Sequence, residues 1–288
     1  MASTQDKVSS RETRKQRAFF AKTRRAEGAY ATNLRKVAKA VEDIVKMFDP
    51  TDAHQVNELE QTLRRYSDLL RPWARVTAQR MLNDVSRRDE KVWGEYTRYL
   101  GLELKREIYA APTGEAMFDL MQEQVHLITS LPLEAANRVH ELVTGALYEG
   151  ARAKEIGDEI YRTGEVTRAR ANLIARTEVG RAATSLTQAR AEYVGSPGYI
   201  WRSSHDWDVR PAIGTKNFAK LNTLEMGSHR KLDGTFHRWD SPPIAATNGV
   251  RAHAGSIFNC RCYAEPVLPG ESASDQGNWY EMSAGGVA

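Results

Sequence analysis

Gly195-Ser196-Pro197-Gly198-Tyr199-Ile200-Trp201-Arg202 divides this chain in two. Gly195, Pro197 and Gly198 stop a helix, and the aromatic and β-branched run after them has the composition of a strand. Before this stretch, apolar residues recur at helical spacing from Tyr30 to Val194; after it, the pattern is short strands and loops. The expected fold class is therefore α+β: a mainly helical N-terminal region followed by a C-terminal module with a long helix, a small β-sheet and loops.

Working back from Gly195, a long helix is expected from about Glu165, with Val166, Ala169, Ile174, Thr177, Ala182, Leu186 and Ala189 as its inner face. Arg168, Arg170, Arg176, Arg181 and Arg190 lie along it. Glu165, Glu178 and Glu192 are interleaved, so a salt-bridged, solvated or inter-subunit face is expected rather than a phosphate-binding stripe. Shorter helices precede it, ending near Gly150 and Gly164, and Ser130-Leu131-Pro132 reads as a helix stop. Ala110-Ala111-Pro112-Thr113-Gly114 is another break. Further back, Tyr30, Leu34, Val37, Val41, Ile44 and Phe48 make one apolar seam, and Leu59, Leu63, Tyr66, Leu70 and Trp73 make a second. Asp49-Pro50 between them predicts an antiparallel helical hairpin, with Pro72 kinking or ending its second arm. Such a seam must be buried on its hairpin partner or on another subunit.

Working forward, Tyr199–Arg202, Phe236–Trp239 and Ile257–Tyr263 read as strands, and Asp233-Gly234 as a hairpin turn in which Gly supplies the positive φ. Pro266 and Pro269 close the folded part. The expected organisation is a basic flexible arm (1–29), a helical region (30–130) for attachment to another subunit, a C-terminal module (131–268), and a flexible acidic tail (269–288).

The chain of 288 residues carries a net charge of only +4, yet eleven of its first forty residues are Lys or Arg against three acidic ones. Arg14, Lys15, Arg17, Lys22, Arg24 and Arg25 are the densest part. They are candidates for contact with nucleic acid or an acidic protein, because a basic stretch binds polyanions without reading sequence. No apolar run is long enough to cross a membrane, and the polar N-terminus has no secretory-signal pattern. Two cysteines one residue apart exclude a disulfide framework and fit cytosolic assembly.

Both cysteines and three of seven histidines fall between Ser228 and Cys262. His229, His253, Cys260 and Cys262 are zinc-type ligands, adequate in number for a closed tetrahedral site. On an extended strand, however, residues two apart sit about 6.5–7 Å from each other. Both sulfurs then cannot reach one ion through bonds of about 2.3 Å. Cys-x-Cys needs a tight turn to chelate, so the alternative of reduced, packed thiols without a cofactor is favoured.

Ala175-Arg176-Thr177-Glu178, Trp201, Asp208-Val209-Arg210-Pro211, Ser228-His229-Arg230-Lys231-Leu232-Asp233-Gly234, Pro242-Pro243, Asn259-Cys260-Arg261-Cys262 and Pro266-Val267 occur in an order that resembles the phage Mu F-like head-morphogenesis family. The resemblance spans roughly residues 130–268. Residues 212–227 depart from it as an insertion between the Asp-x-Arg and Ser-His segments. It implies a minor capsid protein of a tailed phage, made in the host cytoplasm. Its place would be the capsid interior near the portal, and its role head assembly, DNA packaging or ejection. Implied partners are the portal protein, the major capsid protein or scaffold, and packaged double-stranded DNA, with no membrane. Some relatives carry a fused toxin or enzyme domain, for which the residues after Pro266 leave no room.

Two other function classes remain: a metal-dependent nuclease using His205, Asp206, Asp208, His229, Asp233, His237 and His253, or a zinc-supported nucleic-acid-binding protein. No P-loop, His-Glu-x-x-His or Gly-x-Ser-x-Gly pattern is present, and the expectation is a protein without catalytic activity.

Overall fold

The computed structural model describes residues 4–96, 110–149, 153–203, 229–246 and 249–269, with most side chains from Arg24 onward. Helices α1 (Thr4–Lys46), α2 (Ala53–Tyr96), α3 (Gly114–Glu149), α4 (Ala153–Tyr161) and α5 (Thr163–Tyr193) come first. Strand β1 (Gly198–Arg202), the single-turn helix α6 (His229–Leu232), β2 (Phe236–Arg238) and β3 (Tyr263–Val267) follow. The expected α+β class is the one observed. No helix among the described residues is long and apolar enough to cross a membrane.

The fold resolves into two compact units that interleave along the chain. One comprises Ala26–Asn83 and Phe118–Arg176; the other comprises Met1–Arg25, Asp84–Met117 and Thr177–Ala288. The border near residue 130 drawn from the sequence falls inside α3.

In the all-helical unit the two seams meet. Val41 and Val45 of α1 pack with Val56, Leu59 and Leu63 of α2, Ala135, Ala136 and Val139 of α3, and Ile160 of α4. Asp52 caps α2 by accepting the His54 backbone N–H at 2.9 Å, and Asp49 accepts that of Thr51 at 2.9 Å, which turns the chain sharply. The Tyr30 hydroxyl donates to buried Gln124 Oε1 at 2.9 Å. The α1 seam is thus buried within the chain itself.

The helix stop read at Pro132 does not occur, and Pro72, read as a kink or an end, does not end its helix. Pro132 lies inside α3 and Pro72 inside α2. Around Pro132, Ile128, Leu131 and Ala135 are fully buried. Thr129 Oγ1 donates to the Val125 carbonyl at 3.0 Å and Ser130 Oγ to that of Leu127 at 3.0 Å. Around Pro72, Leu70 and Ala74 are buried while the proline faces outward. Packing of the flanking turns outweighs one lost backbone hydrogen bond. The break at 111–113 is observed. Helix α1 begins at Thr4, within the segment read as an arm; no Gly precedes Gly28 and no Pro precedes Pro50, and Arg, Lys, Gln, Glu and Ala favour helix.

In the second unit, β1 is central. It pairs antiparallel with β2 (Tyr199 opposite His237) and with β3 (Trp201 opposite Ala264), in the order β2-β1-β3. The sheet and its loops pack on α2 and α5 through Trp93, Ala191, Val194, Tyr199, Trp201, Leu232 and Trp239. Gly195, at φ 75°, ends α5: its N–H donates to Glu192 O and that of Ser196 to Ala191 O, the paired pattern of a glycine C-cap. On the expected inner face of α5, Ile174, Ala182 and Leu186 are buried, but Val166 is exposed. Of the alternatives for the arginines, salt bridging is observed, but mostly to other helices: Arg168 pairs with Glu42, Arg170 with Glu134 and Arg176 with Glu27.

Asp233-Gly234 is a turn, with Gly234 at φ 81°, but not a hairpin turn: it leads from α6 into β2. Residues 257–262 are not a strand, and β3 begins only at Tyr263. The expected acidic tail from 270 onward lies outside the described residues.

Candidate metal centre

Three of the four candidate ligands converge. His229 Nδ1 lies 3.5 Å from Cys260 Sγ and 3.4 Å from Cys262 Sγ, and the three donor atoms all fall within 4.8 Å of one another. Both cysteines are reduced and buried, and His229 is partly buried.

The turn that the Cys-x-Cys spacing requires is supplied by the segment before β3. Asn259 is held at φ 59°, its N–H donates to Thr177 Oγ1 at 3.0 Å, and the Cys260 N–H closes onto Ile257 O at 3.1 Å. The Cys262 N–H then donates to Cys260 Sγ at 3.3 Å, so the two side chains lie on one side of the bend. The objection drawn from strand geometry does not apply, because these residues are not extended. On the other side, α6 presents His229, whose Nε2 lies 3.0 Å from the Ala245 carbonyl. A carbonyl can only accept, so Nε2 carries the proton and the Nδ1 lone pair faces both sulfurs. Trp201 stacks edge-on against the ring at 5.1 Å between centroids.

Burial pulls the His229 ring downward, but its contacts with the Cys260 sulfur and the Ala245 carbonyl outweigh this, and the net direction is upward. The Cys260 thiol is held well below its usual range, first by the hydrogen bond from Cys262 and then, against burial, by His229. A sulfur that readily carries negative charge beside an imidazole lone pair is what a soft divalent ion binds. A tetrahedral zinc with bonds of about 2.3 Å to S and 2.0–2.1 Å to N sets its S and N ligands roughly 3.5 Å apart. The observed separations fit.

His253 is not brought into this group. Its Nδ1 lies within hydrogen-bond distance of the Tyr199 hydroxyl, at 3.1 Å, and its ring sits against both Tyr199 and Trp239, with centroids at 5.4 and 5.7 Å. Of the nuclease candidates, Asp233 accepts the Ser203 backbone N–H at 2.9 Å and His237 hydrogen-bonds Thr235 Oγ1 at 2.7 Å. His205, Asp206 and Asp208 lie outside the described residues. So do the side chains of Arg14, Lys15, Arg17 and Lys22; Arg24 and Arg25 are exposed on α1.

One group escaped the sequence reading. Arg190 of α5 is buried against Asp89 of α2 and also reaches Glu90 at 3.2 Å, while Thr187 Oγ1 donates to Asp89 at 2.5 Å. The only sequence sign of it is an Arg on a helix face otherwise made of Ala, Thr and Leu.

Residues 137–226 match the family model described as Phage Mu protein F like protein. That stretch ends before His229, so the three-ligand cluster lies outside it. The chain is 31% identical over 189 residues to an uncharacterized protein of Haemophilus influenzae, covering 64% of this chain and 38% of that protein. It is 24% identical over 192 residues to minor head protein GP7 of Bacillus phage SPP1, covering 62% of this chain and 57% of that protein. The chain thus spans well under two thirds of the length of both relatives. No solved structure matches it. The chain is distantly similar to phage head-morphogenesis proteins.

Proposed function

We propose that this chain is a minor head protein of a tailed phage, held in the capsid interior near the portal vertex and acting in head assembly, DNA packaging or ejection. Its similarity to a minor head protein over some two hundred residues carries this reading. The build of the chain supports it. Several ionisable groups in the sheet-bearing unit that could have served catalysis are spent inside the fold: Asp233 holds a backbone N–H, His237 a threonine hydroxyl, and Arg190 a buried carboxylate. The portal protein is the proposed main partner, with the major capsid protein or scaffold and packaged DNA as further ones. The basic start of α1 is the proposed DNA contact. Because the Tyr30–Phe48 seam is buried in its own helical bundle, attachment to the portal must use other surfaces of the helical region.

Heads assembled with and without the chain, purified and compared by mass spectrometry, should contain it in few copies and differ in DNA content. Its absence from heads in which it was co-expressed would overturn the reading. The nuclease alternative is tested on the same preparation: plasmid DNA with magnesium, manganese or zinc should stay intact. Metal-dependent cutting that is lost in His229→Ala would establish that alternative instead.

A further inference from the structure

We infer that His229, Cys260 and Cys262 hold a single zinc ion that ties α6 to the turn before β3. Two chain segments about thirty residues apart bring one nitrogen and two sulfurs to within 4.8 Å of one another in a buried setting. The N–S separations of 3.4 and 3.5 Å are those of a tetrahedral edge around zinc.

Each donor is held by a partner of the kind that orients metal ligands. The Ala245 carbonyl fixes the proton on His229 Nε2 and leaves Nδ1 free to coordinate, as the outer partner of a ligating histidine does. The Cys262 backbone N–H points at Cys260 Sγ and supports negative charge on it. Thr177 and the Ile257 carbonyl hold the bend that puts both sulfurs on one side. Two thiolates and one imidazole are a soft set that selects zinc over magnesium or calcium.

His253 is not one of the converging donors, and its Nδ1 hydrogen-bonds the Tyr199 hydroxyl instead. Among the described residues three ligands converge, which leaves one position of a tetrahedral site for a further donor. Apart from one isolated backbone bridge, the described residues between 240 and 262 form no ladder, so the ion would supply order that sheet pairing there does not. This inference stands independently of the role in head assembly.

The full-length chain, stripped with chelator, exchanged into zinc and dialysed, should retain about one zinc per chain, as structural sites do. Exchange into cobalt should give the thiolate-to-metal charge-transfer absorption that two sulfur ligands produce, a readout of the wild-type protein that needs no variant. Cys260→Ser, Cys262→Ser and His229→Gln should each lower retained zinc roughly tenfold or more. His253→Gln should leave it unchanged. Wild-type protein that retains no zinc and shows no charge-transfer band overturns the inference, as does full retention in either cysteine variant. Loss of zinc in His253→Gln overturns the three-ligand assignment.

Discussion

Asp89 and His237 are buried in the same unit and respond to acid in opposite ways. Burial pushes the Asp89 carboxyl up to about 6, with Arg190 and Thr187 pulling back, whereas burial pulls the His237 ring down to about 4. A carboxyl raised above its ordinary value makes the folded chain hold more protons than the unfolded one between about pH 4 and 6. Its contribution to stability therefore falls as pH rises through that window. A histidine lowered below its ordinary value contributes fully above about pH 6.5 and loses that contribution as pH falls toward 4. In the wild type the two trends offset. Relative to the wild type, His237→Gln should lose less stability on acidification from pH 6 to 4.5, and Asp89→Asn should lose more, read from urea midpoints at fixed slope. Parallel profiles for all three proteins would rule this out. Asp89→Asn should also cost about 3–5 kcal/mol at neutral pH, because among the described residues Arg190 then keeps only the half-exposed Glu90 as its counter-charge.

At the scale of elements, α5 meets the cysteine-bearing turn backbone to backbone. A Cβ placed on Gly180 would come within 2.9 Å of Gly255 O, and one on Gly255 within 2.7 Å of Cys262 O. Gly255 also sits at φ 86°, and Thr184 Oγ1 donates to the neighbouring Ala254 carbonyl at 2.5 Å. Gly180→Ala should therefore destabilise by about 1–3 kcal/mol from overpacking. Helix propensity alone predicts a gain of about 1 kcal/mol for the same change. Denaturant unfolding decides between them, and a stabilised Gly180→Ala would mean the approach is looser than the structure places it. The same variant should retain less zinc, since the turn it pushes away carries Cys260 and Cys262.

At the scale of the whole molecule, deletions along α1 should have unequal effects. Described burial on α1 begins at Ala26 and continues through Tyr30, Leu34, Val37, Val41 and Val45. Removing residues 1–23 spares the Ala26–Val45 wall of the helical core and should leave that unit able to fold, whereas removing 1–50 strips the wall away and should prevent it. Circular dichroism melts of the two deletions test this, and a cooperative melt in the 1–50 deletion would contradict the packing. If the basic segment meets DNA, the 1–23 deletion should also flatten the salt dependence of binding, because each phosphate neutralised by a Lys or Arg adds about 0.9 to the slope. An unchanged slope would assign that segment to a protein partner.

Element types and most of their limits are legible in the chain alone. The apolar seams of α1 and α2, the Gly195 cap, the β1 and β2 runs and the alternating charges of α5 are local patterns, and local patterns need only the neighbouring residues to be read. The error at Pro132 came from the same locality: a proline penalty is visible in the chain, while the burial of Leu131 that overrides it is not. The sequence also named the metal-ligand candidates, by residue type. Only the tertiary structure decided which of them meet. Cys260 and Cys262 look unable to share an ion if extended, and it is the bend at Asn259, held by Thr177 from α5, that faces both sulfurs toward His229. His253 has the right chemistry but was claimed by Tyr199, a partner 54 positions away in the chain. Side-chain convergence depends on contacts between segments remote in sequence, and no spacing rule within either segment contains that information.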